Sequence, residues 1–316
     1  MLDTITQSVV DRININSFSN SSSFFQSVGT QNYFASIIDI HNGQYLASTT
    51  DGVGSKVEHI INHSSCDIIG IDCFAMNIND LLCVGANPVG FQNHITTDTD
   101  HAHIVPEVID GIIKSCQDNF VILSGGETEV LTETKFHISG SAYGIIPNDT
   151  FIVDGSKVED GDVIIGLESN GLHANGWTAL YDRLEFCNDN IAMGESILLP
   201  TKIYCDDINP LMTRIRPSAI INITGGGFRN LERIPHNNFT YDIKHEITQE
   251  IFKDIETSFT PKEMYSTFNM GVGMMVIVKP KDRNVALSMM IGSKVIGSVR
   301  KSLFASSVVV NGEVIN

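Results

Sequence analysis

The chain runs to 316 residues, 42% of them hydrophobic and 18% charged, which is enough apolar material for sizeable cores and too little charge for a disordered protein. Its 20 basic against 37 acidic residues leave a net charge of −17 and exclude a nucleic-acid surface of the usual basic kind. Bound phosphates must therefore be met by a cation or by backbone amides. No run of about 18 apolar residues occurs, so no membrane-spanning helix is expected.

Length alone predicts two domains of ordinary size. The opening MLDTITQSVVDRI lacks the basic-then-apolar layout of a signal peptide. Cys66, Cys73, Cys83, Cys116, Cys187 and Cys205 form no CxxC pair and read as reduced thiols of a cytoplasmic protein. The Ser-rich stretch 17–27 reads as a loop, with Phe24 and Phe25 docking it. Residues 45–50 read as a strand ending at Asp51-Gly52, with Gly54 tightening the turn. Residues 66–86 read as a helix whose Ile69, Phe74, Ile78, Leu81 and Leu82 wrap most of its circumference, so it is expected to be deeply buried and stopped by Gly85 and Asn87-Pro88. A strand over 89–97 and an amphipathic helix over 104–116 follow. Then come a short strand over 120–124 running into Gly125-Gly126-Glu127-Thr128, and an alternating strand over 135–146.

The Pro-, Gly- and charge-rich stretch 147–162 marks a boundary, giving domains 1–150 and 151–316. Beyond it a strand over 163–167 enters SNGLHANG, and a helix is expected over 177–186. A Pro200-initiated segment leads to a strand over 219–224 that delivers Gly225-Gly226-Gly227-Phe228. A polar stretch 230–262, a strand over 273–278, a helix over 283–291 and closing strands complete the chain. Helices and strands mix without regular alternation, which predicts an α+β fold of two mixed domains.

Two features carry chemistry. Strands repeatedly deliver glycines followed by a polar residue, at 51–56, 124–128, 169–176 and 224–228, a pattern that lets backbone amides close on phosphate oxygens. Polar residues also interrupt the apolar helix at Asp72, Asn77, Asn79 and Asp80, and buried carboxylates need compensation. With Asp51 and Glu127 at strand ends, these hard oxygen donors suit magnesium on a nucleotide's phosphates. Lys56 and Lys202 are single cations able to hold phosphate. His173 sits between Gly171 and Gly176 beside Asn175, a placement that fits a catalytic loop. His101 and His103 fit a solvated loop better than a metal site.

The blocks STTDGVGSK (48–56), IGIDCFAMNINDLLCVGANPVGF (69–91), LSGGET (123–128), GDVIIGLESNGLHANGWT (161–178), PTKIY (200–204), ITGGGFRNLERIP (223–235) and EMYSTFNMGVGMM (263–275) resemble, in order and spacing, the aminoimidazole ribonucleotide synthetase (phosphoribosylformylglycinamidine cyclo-ligase) family. The resemblance implies ATP-dependent closure of an imidazole ring on formylglycinamidine ribonucleotide, with ATP and Mg2+ as cofactors. It implies that Asp51, Gly52, Gly54, Lys56, Asp72, Asn77, Asp80, Gly125, Gly126, Glu127 and Thr128 hold the nucleotide, with Asp51, Asp80 and Glu127 on the metal. His173, Asn175 and Lys56 would act at the reacting centre. Gly225, Gly226, Gly227, Phe228, Thr267, Asn269 and Gly271 would shape the substrate end. It further implies a cytoplasmic homodimer, bound to neither nucleic acid nor membrane, whose N-terminal domains pair into a barrel-like sheet. Residues 1–44 depart from the family's usual opening segment, as does Glu129-Val130-Leu131 after the double glycine. The competing expectations are a selenophosphate synthetase-like enzyme and a nucleotide-binding homologue without turnover.

Overall fold

Two separate sheets are built from the two halves of the sequence. The computed structural model describes residues 26–29, 32–132, 134–183, 195–235 and 238–316. In the first half β1 (Gln26–Val28), β2 (Ser36–Asp39), β3 (Tyr45–Gly52), β4 (Asn87–Thr97), β5 (Ile122–Val130) and β6 (Phe136–Ile146) pair in the order β1-β2-β3-β6-β4-β5. Only β4 and β5 run parallel. In the second half β7 (Val163–Glu168), β8 (Ala219–Asn222), β9 (Phe239–Ile243), β10 (Val272–Val278), β11 (Lys294–Lys301), β12 (Ser307–Val310) and β13 (Glu313–Val314) pair in the order β13-β12-β9-β11-β7-β10-β8. Alternation sets the faces: β6 buries every second residue from Phe136 to Ile146, whereas β10 is buried along its whole length and is apolar throughout apart from Gly273.

Neither sheet closes among the described residues, which corrects the expected barrel. β1 is three residues long and pairs with β2 alone, and β5 leaves its outer side unpaired with every residue but Leu123 exposed. β1 and β5 are the two opposite edges of an open sheet.

Helices α1 (Lys56–His63), α2 (Asp67–Cys83) and α3 (Val105–Asp118) pack with the first sheet. The second half carries α4 (Trp177–Arg183), α5 (Cys205–Arg214), α6 (Glu250–Ile255), α7 (Pro261–Thr267) and α8 (Arg283–Met289). Helix α2 touches β3, β4 and β6 of the first sheet and β8 and α5 of the second half. That double covering is why its apolar residues wrap the whole circumference. It ends at Cys83, three residues short of the expected bound, and Gly85 then turns the chain at φ +77°. One close approach requires a glycine: a Cβ on Gly140 of β6 would lie 2.5 Å from the Phe91 ring and 2.8 Å from Asn77 Nδ2 of α2.

Other boundaries also move. Gly125–Thr128 is strand rather than loop, because β4 continues alongside and its ladder takes up the extra residue as a register shift opposite Phe91 and Gln92. The polar stretch 230–262 contains β9, α6 and the start of α7. The helix expected over 177–186 is described only to Arg183; Phe186, Cys187, Phe24 and Phe25, and most of the Ser-rich stretch, lie outside the described residues. Cys66, Cys73, Cys83, Cys116 and Cys205 are free and buried. No described helix is long and apolar enough to cross a membrane.

Candidate active site

Each polar residue inside α2 meets a different partner. Asn77 bonds main chain on both sides: its Oδ1 accepts from Asp51 N at 2.9 Å, and its Nδ2 donates to Asp51 O at 3.1 Å and to Cys73 O at 2.9 Å. Asp72 is fully buried; its Oδ1 accepts from Thr201 N at 2.6 Å, and the equally buried Lys56 ammonium lies 2.7 Å from Oδ2 as a charge contact. Lys56 Nζ also donates to Leu199 O at 2.8 Å. Asn79 donates to Lys202 O at 2.8 Å and accepts from Tyr204 N at 3.1 Å. Lys56 of the first half and backbone groups of the second thus supply the compensation that the sequence assigned to a metal at Asp72 and Asn79.

Asp80 differs. Its Oδ1 accepts from Asn222 Nδ2 of β8 at 2.8 Å, and Asn230 Nδ2 in turn holds Asn222 O at 3.0 Å. Burial pushes the Asp80 carboxyl up to about 7, against the pull of Asn222 and with the charge of Asp51 adding to the rise. Asp51, at the end of β3, is raised as well, chiefly by burial; its Oδ1 accepts from Gly52 N at 2.7 Å. The positive charge of Arg233 draws both carboxyls down. Arg233 closes the 3-10 turn Gly227–Arg233 of the second half, donates to Tyr33 O at 3.1 Å and covers the Phe34 ring at 4.7 Å. β3 and α2 therefore bring two desolvated acids within each other's field where the second half abuts the first.

Glu127 is not brought to them. It shares a row across the first sheet with His94, Ser139 and Gly52, three inter-strand spacings or about 14 Å away, and Asp51, one residue from Gly52, points to the opposite face. Among the described residues its carboxylate accepts only from the adjacent Thr128 N, at 2.8 Å. Gly125, Gly126 and Thr128 share this exposed edge. His101 pairs with Asp98 at 2.7 Å and His103 with Asp100 O at 2.7 Å, as loop residues do.

The glycine-rich segments of the second half form one tightly bonded cluster. His173 holds φ +61° and is buried; its Nε2 accepts from Asn170 N at 3.0 Å and Lys202 N at 3.4 Å, while its carbonyl accepts from Trp177 Nε1 at 2.8 Å. Burial, with the Lys56 and Lys202 charges nearby, lowers it to about 3. The ring is a neutral acceptor whose Nε2 lone pair is already used, not a free base. Asn269 fastens the same loop, donating to Gly171 O at 2.8 Å and Leu172 O at 3.0 Å and accepting from Ser169 Oγ at 2.9 Å and Gly271 N at 2.8 Å. Half-buried Asn175 places Nδ2 3.6 Å from Met76 Sδ of α2, and a Cβ on Gly225 would lie 3.4 Å from its Oδ1. Gly227, at φ +54°, leaves no room for a side chain, since a Cβ would come within 2.3 Å of Tyr265 O; Phe228 packs against the Tyr265 ring at 5.2 Å. Thr267, half-buried, ends α7.

Sequence reasoning missed Asn222, Thr201 and Arg233. Asn222 ends the otherwise apolar β8, which in retrospect marks a polar group delivered to a junction. Nothing local distinguishes Thr201, which acts through its backbone. Arg233 stands in a polar run that reads as surface.

Among the described residues no three of His, Cys, Asp or Glu gather closely enough to hold a metal ion by themselves. Asp51 and Asp80 nonetheless suit magnesium, which takes one or two protein carboxylates and completes its shell with phosphate oxygens and water. A cavity of about 610 Å³ opens at the turn that follows Asp51 and along α1, lined in part by Gly54, Ser55, Glu58, Asn62, His101 and His137; neither Asp51 nor Asp80 lines it.

Residues 34–146 match the family described as AIR synthase related protein, N-terminal domain, and residues 159–305 match its C-terminal domain. Phosphoribosylformylglycinamidine cyclo-ligase of Finegoldia magna is 36% identical over 261 residues, covering 78% of this chain and 76% of its own. The enzymes of that name from Methanosarcina barkeri (36% over 285 residues, covering 85% and 84%) and Pyrococcus furiosus (34% over 271 residues, covering 83% and 80%) are similar to the same extent. Among solved structures, thiamine monophosphate kinase from Aquifex aeolicus shares the fold at TM-score 0.64 and 16% identity, covering 97% of each chain. The E. coli hydrogenase maturation protein HypE shares it at 0.66 and 15%, covering 98% of this chain and 96% of its own. Two domain matches in tandem, relatives above 30% identity over most of both chains, and the acid pair seated between the halves agree: the chain belongs to the AIR synthase family of phosphoribosylformylglycinamidine cyclo-ligases.

Proposed function

We propose that this protein closes the imidazole ring of formylglycinamidine ribonucleotide with ATP, giving aminoimidazole ribonucleotide, ADP and phosphate, as a cytoplasmic step of purine synthesis. The observation that carries the reading is the pair of family matches over both halves with relatives of that activity. Asp51, whose main chain is held by Asn77 of α2, and Asp80, three residues further along α2 and bonded to Asn222, are the acids that fit it. ATP's γ-phosphoryl passes to the formyl-amide oxygen. The amidine nitrogen then attacks that carbon, phosphate leaves with its electron pair, and a proton is lost. Asp51 and Asp80 hold magnesium, which when bound neutralises phosphate charge. The cavity beside Gly54 and Ser55 is of the size a nucleotide needs.

Residues up to about 150 bind the nucleotide, and the remainder completes the substrate cleft. Gly225, Gly226 and Asn175 line the substrate end. His173, Asn269 and Gly271 fix the loop that presents Asn175. Positioning two groups of one substrate supplies most of the rate gain in such a closure. The unpaired β5 edge, with Ile122 and Val130 exposed, suits a second copy of the chain in a homodimer, and Glu127 with Gly125, Gly126 and Thr128 then serves that edge.

The test supplies the purified protein with formylglycinamidine ribonucleotide, ATP and magnesium and follows the aminoimidazole colorimetrically. Imidazole formed in step with ADP is the expected result. Phosphate release without imidazole removes the cyclo-ligase assignment, and nucleotide binding without any turnover leaves a binding protein.

A further inference from the structure

The segment 199–204 lies across the junction like a strap and is fastened along its length by hydrogen bonds to both halves. Leu199 O accepts from Lys56 Nζ at 2.8 Å, and Thr201 N donates to Asp72 at 2.6 Å. Lys202 N donates to His173 Nε2 at 3.4 Å, while Lys202 O and Tyr204 N both bond Asn79. The Tyr204 hydroxyl donates to Glu168 O at 3.0 Å, at the start of the loop that holds His173. Among the described residues the buried Thr201 hydroxyl finds no hydrogen-bond partner. The turn that carries Lys56 faces the same way: Ser55 Oγ lies 3.0 Å from Thr178 Oγ1 of α4, and His59 of α1 lies 5.5 Å from the Trp177 ring.

Resting on the ring-closure reading, we infer that Lys56 and Asp72 act as a positioning pair: they set the 199–204 strap, and through it the His173 loop, and Lys56 does not grip nucleotide phosphate. Its ammonium is fully buried and already occupied by Asp72 and by Leu199 O. Moving it to a phosphate would strand a carboxylate that is fully buried from solvent. Neither residue touches the reacting atoms in this assignment. Their effect runs through the strap amides, with Lys202 N donating directly to the ring that steadies the loop.

The double variant Lys56→Met/Asp72→Leu tests this, since an apolar pair of similar volume keeps a buried site folded where a single change would leave one charge alone. It is expected to bind a non-hydrolysable ATP analogue with magnesium within about twofold of the parent affinity. Turnover is expected to fall on the order of 100-fold, as displaced reacting groups do. Amide hydrogen exchange at Thr201 and Lys202 is expected to quicken by about tenfold or more. Loss of analogue binding with those amides still protected overturns the inference. Should the double variant not fold, the parent protein decides. Exchange at Thr201 and Lys202 that stays slow when the analogue saturates the site upholds the pair. Exchange that quickens shows the ammonium leaving Asp72 and defeats it. A parent enzyme that makes no imidazole while this exchange pattern holds counts against the reaction, not the pair.

Discussion

Asp72 and Asp80 stand about two turns apart on one helix and solve the same problem in opposite ways. Asp72 has a lysine, a backbone amide and complete burial, so its charge is matched inside the protein. Asp80 has one amide side chain and a neighbouring acid, so its charge is matched only in part and its carboxyl rises to about 7. The contrast separates a buried acid that belongs to the scaffold from one that awaits something from outside. Spacing on the helix is the same kind of signal for both; the partners make the difference.

The sharpest way to press that contrast is Asp80→Asn. On the proposed reading Asp80 is one of two magnesium carboxylates, and its loss would remove several kcal/mol of transition-state stabilisation, so turnover is expected to fall by at least about 100-fold. The same variant also reports on pH. A carboxyl whose folded value is about 7, against 3.8 in the unfolded chain, binds its proton more tightly when folded. Its contribution to stability is therefore greatest below about pH 4 and drains away as pH rises to about 7. His173, lowered to about 3, and His245, lowered to about 4, act in the other direction, adding stability as pH rises towards 6.5. The informative quantity is the difference in melting temperature between parent and Asp80→Asn in the absence of magnesium. It should move in the variant's favour from pH 5 to pH 7, and a difference that stays flat would show that Asp80 is ionised throughout.

Asp72→Ala probes the other end of the helix. Leaving Lys56 buried without its counter-charge costs about 3–5 kcal/mol, read as a lowered urea midpoint, whereas Asp80→Asn should leave that midpoint unchanged or raised. Equal losses in both variants would erase the distinction between them. The smallest effect belongs to Glu127→Gln on the exposed β5, expected within about 0.5 kcal/mol of the parent stability. If its turnover dropped as far as that of Asp80→Asn, Glu127 would have to reach the reacting centre.

Much of this was legible in the residues. The apolar wrap of 66–86 gave a buried helix; its four polar interruptions read as metal and phosphate ligands, whereas Asp72, Asn79 and Asp80 bond the second half and Asn77 the first. What periodicity could not supply was the identity of the partners. Asp72 meets Thr201 across 129 residues and Asp80 meets Asn222 across 142, and each contact depends on how two sheets dock, not on any local pattern. The double glycine at 125–126 misled for a related reason. Glycine favours turns when nothing else acts, but a neighbouring strand with free hydrogen-bonding groups outweighs that preference. The barrel came from family likeness alone, and the edges of an open sheet do not show in any single strand's alternation.

Helix α2 serves as the common floor of both halves, and their separate sheets therefore do not make them separable modules. Cutting the chain between them would strip Asp72 and Asn79 of their donors from the far half and bare an apolar surface on either fragment. Denaturant should find no seam to open first.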